Sequence, residues 1–202
     1  MNKIKLFSIA AILLFAALSF LPGRDLPPED GDLIFQNSQS RQSKAIAAAT
    51  HSPLTHVGVV FIERGVPYIY EAVQPVRRIA MKDWVKRGTN GNYVVRRLKD
   101  KSGVDMEALK RHVTSFVGKD YDSQFDWCDS QIYCSELVWK AYERSCGVKI
   151  GDLKRLEQFD LSHPEVKKTL VSRYGRKIPF DMQVISPADM FASSLLFTVI
   201  AK

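Results

Sequence analysis

The segment Tyr133-Cys134-Ser135-Glu136-Leu137-Val138-Trp139 constrains this chain more than any other. Helical periodicity begins at Cys134 and continues through Leu137, Val138, Ala141 and Tyr142, with Gly147 placed to end it. The cysteine thus heads an amphipathic helix instead of sitting inside its apolar stripe, where free cysteine ordinarily serves as a small buried hydrophobe. A helix N-terminus lowers a thiol pKa, and a nearby imidazole can take the proton. Thr55-His56-Val57-Gly58-Val59-Val60, β-branched and apolar, is a strand that carries such an imidazole. The fold must therefore set a strand end against a helix start. The pair reads first as a cysteine hydrolase or acyltransferase.

Strands are expected over residues 32–35, 55–62, 66–73, 92–98 and 195–200, with Glu63-Arg64-Gly65 turning the second into the third. Helices are expected over 38–50, 104–117 (stopped by Gly118), 153–159 and 187–192, besides the one opened by Cys134. Segregated helices and an antiparallel sheet make the fold α+β, not a βαβ repeat. The chain of 202 residues is long enough for one domain with a proper core, and 46% hydrophobic against 25% charged residues excludes disorder.

Residues 1–23 do not belong to that domain. Met1-Asn2-Lys3-Ile4-Lys5 is basic and residues 6–21 are almost purely apolar, the pattern of a signal peptide or an N-terminal anchor. Ala17-Leu18-Ser19 offers a cut after Ser19, and no cysteine follows to support a lipoprotein anchor. Either reading exports residues 24–202 to the periplasm or cell envelope, with membrane association through the N-terminal segment in the second. Residues 24–31, rich in proline and acid, form a linker. The net charge of +7 loses Lys3 and Lys5 with residues 1–23, leaving +5 on the domain. A basic exported surface suits anionic wall polymers or lipid head groups, while the absence of lysine-rich patches interleaved with aromatics argues against nucleic acid.

The hairpin places a carboxylate. If its loop holds two or four residues, pairing partners sum to 129, His56 faces Val73 and Gly58 faces Glu71. His56 and Glu71 are then diagonal neighbours on one face, and Glu71 can orient the imidazole. A three-residue loop sends Glu71 to the other, solvated face.

The remaining candidates are weaker. Cys146 closes the same helix, where the dipole opposes a thiolate, and Cys128 lies between acidic neighbours in Asp126-Trp127-Cys128-Asp129. If Cys128 and Cys146 pair in an oxidising compartment, Cys134 is the free thiol. His51, His112 and His163 read as solvated surface residues. A zinc site from His51, His56, Cys128 and Cys134 has poor spacing, and no phosphate loop, HExxH or GxSxG occurs.

Gly118-Lys119-Asp120-Tyr121, thirteen residues from Tyr121 to Cys134, and Cys134-Ser135-Glu136-Leu137-Val138 resemble the G-x-x-Y…D-C-S-x-L-V signature of NlpC/P60 cysteine peptidases. The order is reversed, because His56 precedes Cys134. Gly31-Asp32-Leu33-Ile34 opening the domain and His56-x-Gly58 on the next strand resemble the circularly permuted branch, more narrowly the YiiX/YaeF-type permuted papain-like amidases. The resemblance covers residues 31–189. It implies a papain-like antiparallel sheet or partial barrel packed on helices, Cys134 as nucleophile, His56 as base, Glu71 as its orienting partner, and Tyr121 beside the thiolate. Two positions depart from the pattern: Tyr133 stands where unpermuted members have Asp, and Glu136 replaces a small residue.

The expected activity is hydrolysis of an amide bond through a thioester, without metal or organic cofactor. Peptides or peptidoglycan fragments are the expected substrates. The alternative is hydrolysis or acyl transfer on a lipid amide or ester. A different class, a non-catalytic envelope binding module with its cysteines in disulfides, would leave no free thiol at Cys134.

Overall fold

The centre of the molecule is a strand that meets protein on both faces. The structure, a computed structural model, describes residues 25–40 and 42–202, so the expected export segment 1–23 lies outside the described residues. Strand β2 (His56–Glu63) is buried from His56 through Phe61, which explains its near-continuous apolar sequence. Around it the strands β1 (Leu33–Gln36), β3 (Val66–Glu71), β4 (Arg77–Ala80), β5 (Val94–Leu98) and β10 (Leu196–Ala201) form one six-stranded sheet in the order β10-β5-β1-β2-β3-β4. Every neighbouring pair is antiparallel. Short two-stranded pairings join β6 (Asp120–Tyr121) to β7 (Gln131–Ile132), and β8 (Lys154–Arg155) to β9 (Gln183–Val184).

Period-2 alternation divides the core in two. Leu33, Phe35, Val57, Val59 and Phe61 face α3 (Met106–Ser115) and α4 (Cys134–Cys146), whose Leu109, Val113, Leu137 and Val138 complete the larger cluster. Ile34, Val60, Ile69 and Val95 form the smaller cluster with Met81 and Trp84 of α2 (Met81–Val85). The sheet is thus sandwiched, and the α+β architecture follows. No helix among the described residues is long and apolar enough to cross a membrane.

The hairpin register is the one in which partners sum to 129: Glu63 pairs with Val66 and Val59 with Tyr70. Gly58 makes close packing at the site end of this hairpin feasible. A Cβ there would come within 2.5 Å of Ile69 Cγ2 and 2.9 Å of the Tyr70 carbonyl oxygen. Gly58→Ala is expected to lower stability by about 1–3 kcal/mol through overpacking. Urea denaturation measures this, and an unchanged midpoint would show that β2 and β3 separate without cost.

Several expectations need correction. Residues 153–159 form β8 and a 3-10 turn, Leu156–Gln158, instead of a helix. Leu156 N–H and Glu157 N–H are drawn to the carbonyls of Met182 and Phe180, and this tertiary pairing outcompetes local helix formation. The helix expected from 38 starts only at Ser43, as α1 (Ser43–Thr50). An unexpected helix, α5 (Pro164–Tyr174), was masked by its charge: only Val166 and Leu170 are buried, one turn apart. Its start was nonetheless written locally, since Pro164 sits in the first turn and His163 Nδ1 accepts the Glu165 N–H. The last helix, α6 (Pro187–Phe191), lies where expected.

Candidate active site

Three elements deliver the central groups: β2 begins with His56, β3 ends with Glu71, and α4 begins with Cys134. The helix start is well specified. Glu136 accepts the Tyr133 N–H at 3.2 Å, and its carboxylate also pairs with Lys140 one turn on at 2.6 Å. Tyr133 is buried, and its hydroxyl accepts the Ile185 N–H at 3.1 Å. Both departures from the NlpC/P60-like pattern thus build the helix start and its seat. Burial raises the Glu136 pKa to about 7, against the opposing pull of Lys140.

His56 Nε2 lies 2.7 Å from Glu71 Oε2, with both side chains almost fully buried. The same-face arrangement expected of the hairpin is present. With Nε2 committed to Glu71, Nδ1 is the ring nitrogen left for the Cys134 thiol, whose proximity helps to raise the histidine pKa. The Trp84 indole stacks against His56, with centroids 5.8 Å apart and planes 23° from parallel.

Glu71 is the most heavily held group in the site. Besides His56, it accepts from Trp84 Nε1 at 2.9 Å, Arg77 Nε at 3.1 Å and Arg87 Nη2 at 3.0 Å, and Arg87 Nη1 also bonds it. Burial alone would raise its pKa, but the bonds from His56 and Arg87 hold it down to about 2. Burial likewise opposes the imidazolium, yet the bonds to Cys134 and Glu71 raise His56 to about 9. At Cys134 burial would push the thiol up. The imidazolium and the backbone N–H groups of Val57 and Ser135 outweigh it and hold the thiol below its ordinary value. Both shifts run in the direction that favours a thiolate–imidazolium pair, which titrates as a unit.

Tyr121, on β6, stands beside this pair. Its hydroxyl accepts from Gln42 Nε2 at 2.6 Å, and Gln42 Oε1 in turn accepts from Arg173 Nη2 at 3.0 Å. Burial, then the Cys134 charge, raise the Tyr121 pKa, so the phenol keeps its proton. A neutral hydroxyl here can donate to a developing oxyanion.

Cys134, Tyr121 and Gln42 stand where two clefts meet. One, with about 680 Å³ of empty volume, is walled by apolar side chains of α1 and α5; the other, with about 870 Å³, is lined by Ser38, Ser40, Thr55, His56 and Arg87.

Sequence reasoning missed Trp84, Arg77, Arg87, Gln42 and Arg173. None stands at a motif spacing, and each reaches the site only because β4, α2, α1 and α5 pack there. The other histidines stay away: His51 pairs with Asp160 at 3.2 Å, and His163 caps α5. The thiols Cys128, Cys134 and Cys146 are all free. Cys128 differs from expectation, since the Ser130 hydroxyl and the Gln131 N–H lower its pKa despite its acidic neighbours. Among the described residues no group of three or more His, Cys, Asp or Glu could hold a metal ion, so the set His51, His56, Cys128 and Cys134 is not brought together.

A sheet–helix fold with a buried thiol at a helix start and the histidine ahead of it in the chain defines a papain-like cysteine hydrolase of permuted order. Comparison with known proteins gives the family: residues 27–200 match the model described as permuted papain-like amidase enzyme, YaeF/YiiX, C92 family, and the chain belongs to it. It is 41% identical over 189 residues to the uncharacterized protein YiiX of Escherichia coli strain K12, covering 93% of this chain and 94% of that one. It is also similar to a crystal structure described as metalloprotein yiiX from Escherichia coli O157:H7. That match has a TM-score of 0.83 and 40% identity, and covers 88% of this chain and 99% of that one.

Proposed function

We propose that this chain cleaves an amide or ester by way of a Cys134 thioester, with His56 as general base and acid and Glu71 orienting the imidazole. The buried Cys134–His56–Glu71 line at a helix start carries the reading. The Cys134 thiolate attacks the carbonyl carbon, and the oxyanion is met by the Cys134 N–H, which has no intrahelical partner, and by the Tyr121 hydroxyl. Removing one such donor typically costs about 10²–10³ in rate. The His56 imidazolium gives its proton to the leaving amine or alcohol, then activates water to hydrolyse the thioester. The Gly118-x-x-Tyr121 spacing to Cys134 supports kinship with NlpC/P60 peptidases in permuted order.

Residues 1–23 support export to the periplasm or envelope, where peptidoglycan-type peptides are available as substrates. The lining of the cleft beside Cys134 favours lipid acyl substrates. The word metalloprotein belongs to the Escherichia coli structure. Here the Glu71 oxygens are taken by two arginines, Trp84 and His56, and this donor set does not fit a metal centre.

Iodoacetamide labelling with peptide mapping tests the assignment. Cys134 is expected to react well below the free-thiol pKa of about 8.5, and His56→Ala to move its pH profile up toward that value. The helix dipole retains part of the depression. A profile unmoved by His56→Ala would remove the base from the mechanism.

A further inference from the structure

Helix α5 has two unlike sides. Val166 and Leu170, one turn apart, are buried and wall a cleft beside Cys134. Arg173 turns the same way, to Gln42 and to the Phe125 ring, with its guanidinium carbon 4.3 Å from the ring centroid. Lys168, Val171 and Gly175 run down the opposite side at helical spacing, and Lys167 stands one turn before Val171. Val171 is 59% exposed. Beyond the helix end at Gly175, Arg176, Lys177 and Phe180 are exposed as well, Phe180 to 48%. Phe180 is held in place there, because its carbonyl accepts the Glu157 N–H at 2.9 Å next to the β8–β9 pairing.

Charge concentrates on the same side. Residues 164–181 carry five basic side chains against two acidic ones, a net +3 out of the +5 on residues 24–202. Lys154 and Arg155 pair with Asp189 and Glu157, and Lys140 and Arg144 share Asp129, whereas Lys167, Lys168, Arg176 and Lys177 have no carboxylate partner among the described residues. An exposed apolar side chain or a solvated lysine taken singly is ordinary. Their combination is selective. Free cations around Val171 favour an anionic surface, and Val171 and Phe180 favour one with an apolar layer beneath its charges. A soluble polyanion meets the first condition only; a bilayer containing anionic lipid meets both.

We propose that the outer side of α5, together with residues 176–180, docks this protein on an anionic lipid bilayer. The four cations lie against phosphate head groups, and Val171 and Phe180 enter the boundary between head groups and hydrocarbon. This surface is distinct from the apolar residues 6–21 and draws on none of the thiol chemistry. Because the inner side of α5 walls the cleft at Cys134, docking holds that wall ~10 Å, one helix diameter, from the head groups.

The test is partition of the full chain onto vesicles of phosphatidylcholine alone and of equal parts phosphatidylcholine and phosphatidylglycerol, read by co-sedimentation. The ratio of the two partition coefficients cancels what residues 6–21 contribute to both. In the wild type this ratio is expected at about 10²–10³, from a gain of about fivefold for each of the four cations. Lys167→Gln combined with Lys168→Gln is expected to lower it about 30-fold. Arg64→Gln, a change of the same kind at the exposed turn of the β2–β3 hairpin, is expected to lower it less than about twofold. Val171→Ser combined with Phe180→Ser is expected to weaken binding to the mixed vesicles about tenfold and to leave binding to dextran sulfate unchanged. Val171→Ser alone, at the more exposed position, is expected to weaken it about threefold and covers the case in which loss of Phe180 disturbs the β8–β9 pairing. A wild-type ratio near one overturns the proposal. A loss per charge as large in Arg64→Gln as in the lysine pair shows diffuse attraction and overturns the assignment to α5. Unchanged affinity of both serine variants for the mixed vesicles leaves a polyanion-binding surface and overturns the bilayer as its occupant.

Discussion

Cys134→Ala is expected to abolish turnover, with kcat falling by about 10⁴–10⁶, the range seen when a nucleophile is removed from a working catalytic unit. The fold is expected to survive, since the change deletes one buried sulfur at the edge of the core and leaves the Tyr133–Glu136–Lys140 seat of the helix intact. His56 should register the loss. The Cys134 partner contributes to its raised pKa of about 9, so the imidazole should titrate lower in the variant while Glu71 keeps it protonated in part. NMR titration of His56 together with a steady-state assay reads both effects. A variant that retains more than a few per cent of wild-type turnover would place the nucleophile elsewhere.

Glu71→Ala is expected to be the most destabilising single change in the site, at about 3–5 kcal/mol. It strips the acceptor from Trp84 Nε1 and His56 Nε2 in a fully buried setting, and from Arg77 and Arg87, whose outer parts reach solvent and lessen the penalty. Glu71→Gln keeps an acceptor oxygen for His56 and should cost less. The pH dependence carries a sign. The folded-state pKa of Glu71 is depressed from 4.5 to about 2, so its contribution is complete above about 4.5 and is lost as pH falls toward 2. His56 is raised from 6.5 to about 9, so its contribution is complete below about 6.5 and is lost as pH rises through 9. Glu136, raised from 4.5 to about 7, contributes fully only below about 4.5 and loses that contribution as pH rises toward 7, which draws the optimum to the acid end of the window set by Glu71 and His56. The wild type is therefore expected to be most stable between about pH 4.5 and 6.5, and Glu71→Ala to flatten the acid limb. Thermal melts from pH 3 to 9 decide this; an acid limb unchanged in the variant would show that Glu71 is not the group responsible.

Much of this was legible in the chain. The helix after Tyr133 was visible because its apolar period starts abruptly at Cys134 and ends at Gly147, both local signals. The hairpin was visible because residues 55–62 and 66–73 read as strands around Glu63-Arg64-Gly65, but the pairing sum of 129 held only for a loop of two or four residues, and the structure decided between that and a three-residue loop. On the first alternative His56 and Glu71 share a face, which is the arrangement found. Residues 153–159 misled because an apolar pattern of seven residues fits a helix as readily as a strand and a turn; the carbonyls of Met182 and Phe180 settled the matter from far away in sequence.

By itself the sequence determined what depends on neighbours along the chain: the amphipathic start of α4, the alternation of β2 and β3, the α+β class, and the residue types from which a thiol site is built. The tertiary structure alone decided what depends on long-range packing. It closed Arg77, Trp84 and Arg87 around Glu71, brought Gln42 and Arg173 to Tyr121, and set α5 across from α1 so that an apolar cleft opens beside Cys134. The physical reason is that side-chain period and capping act over a few residues, whereas burial, desolvation and the pKa values of Cys134, His56 and Glu71 are set by whatever the fold brings within a few ångströms, with no trace in local spacing.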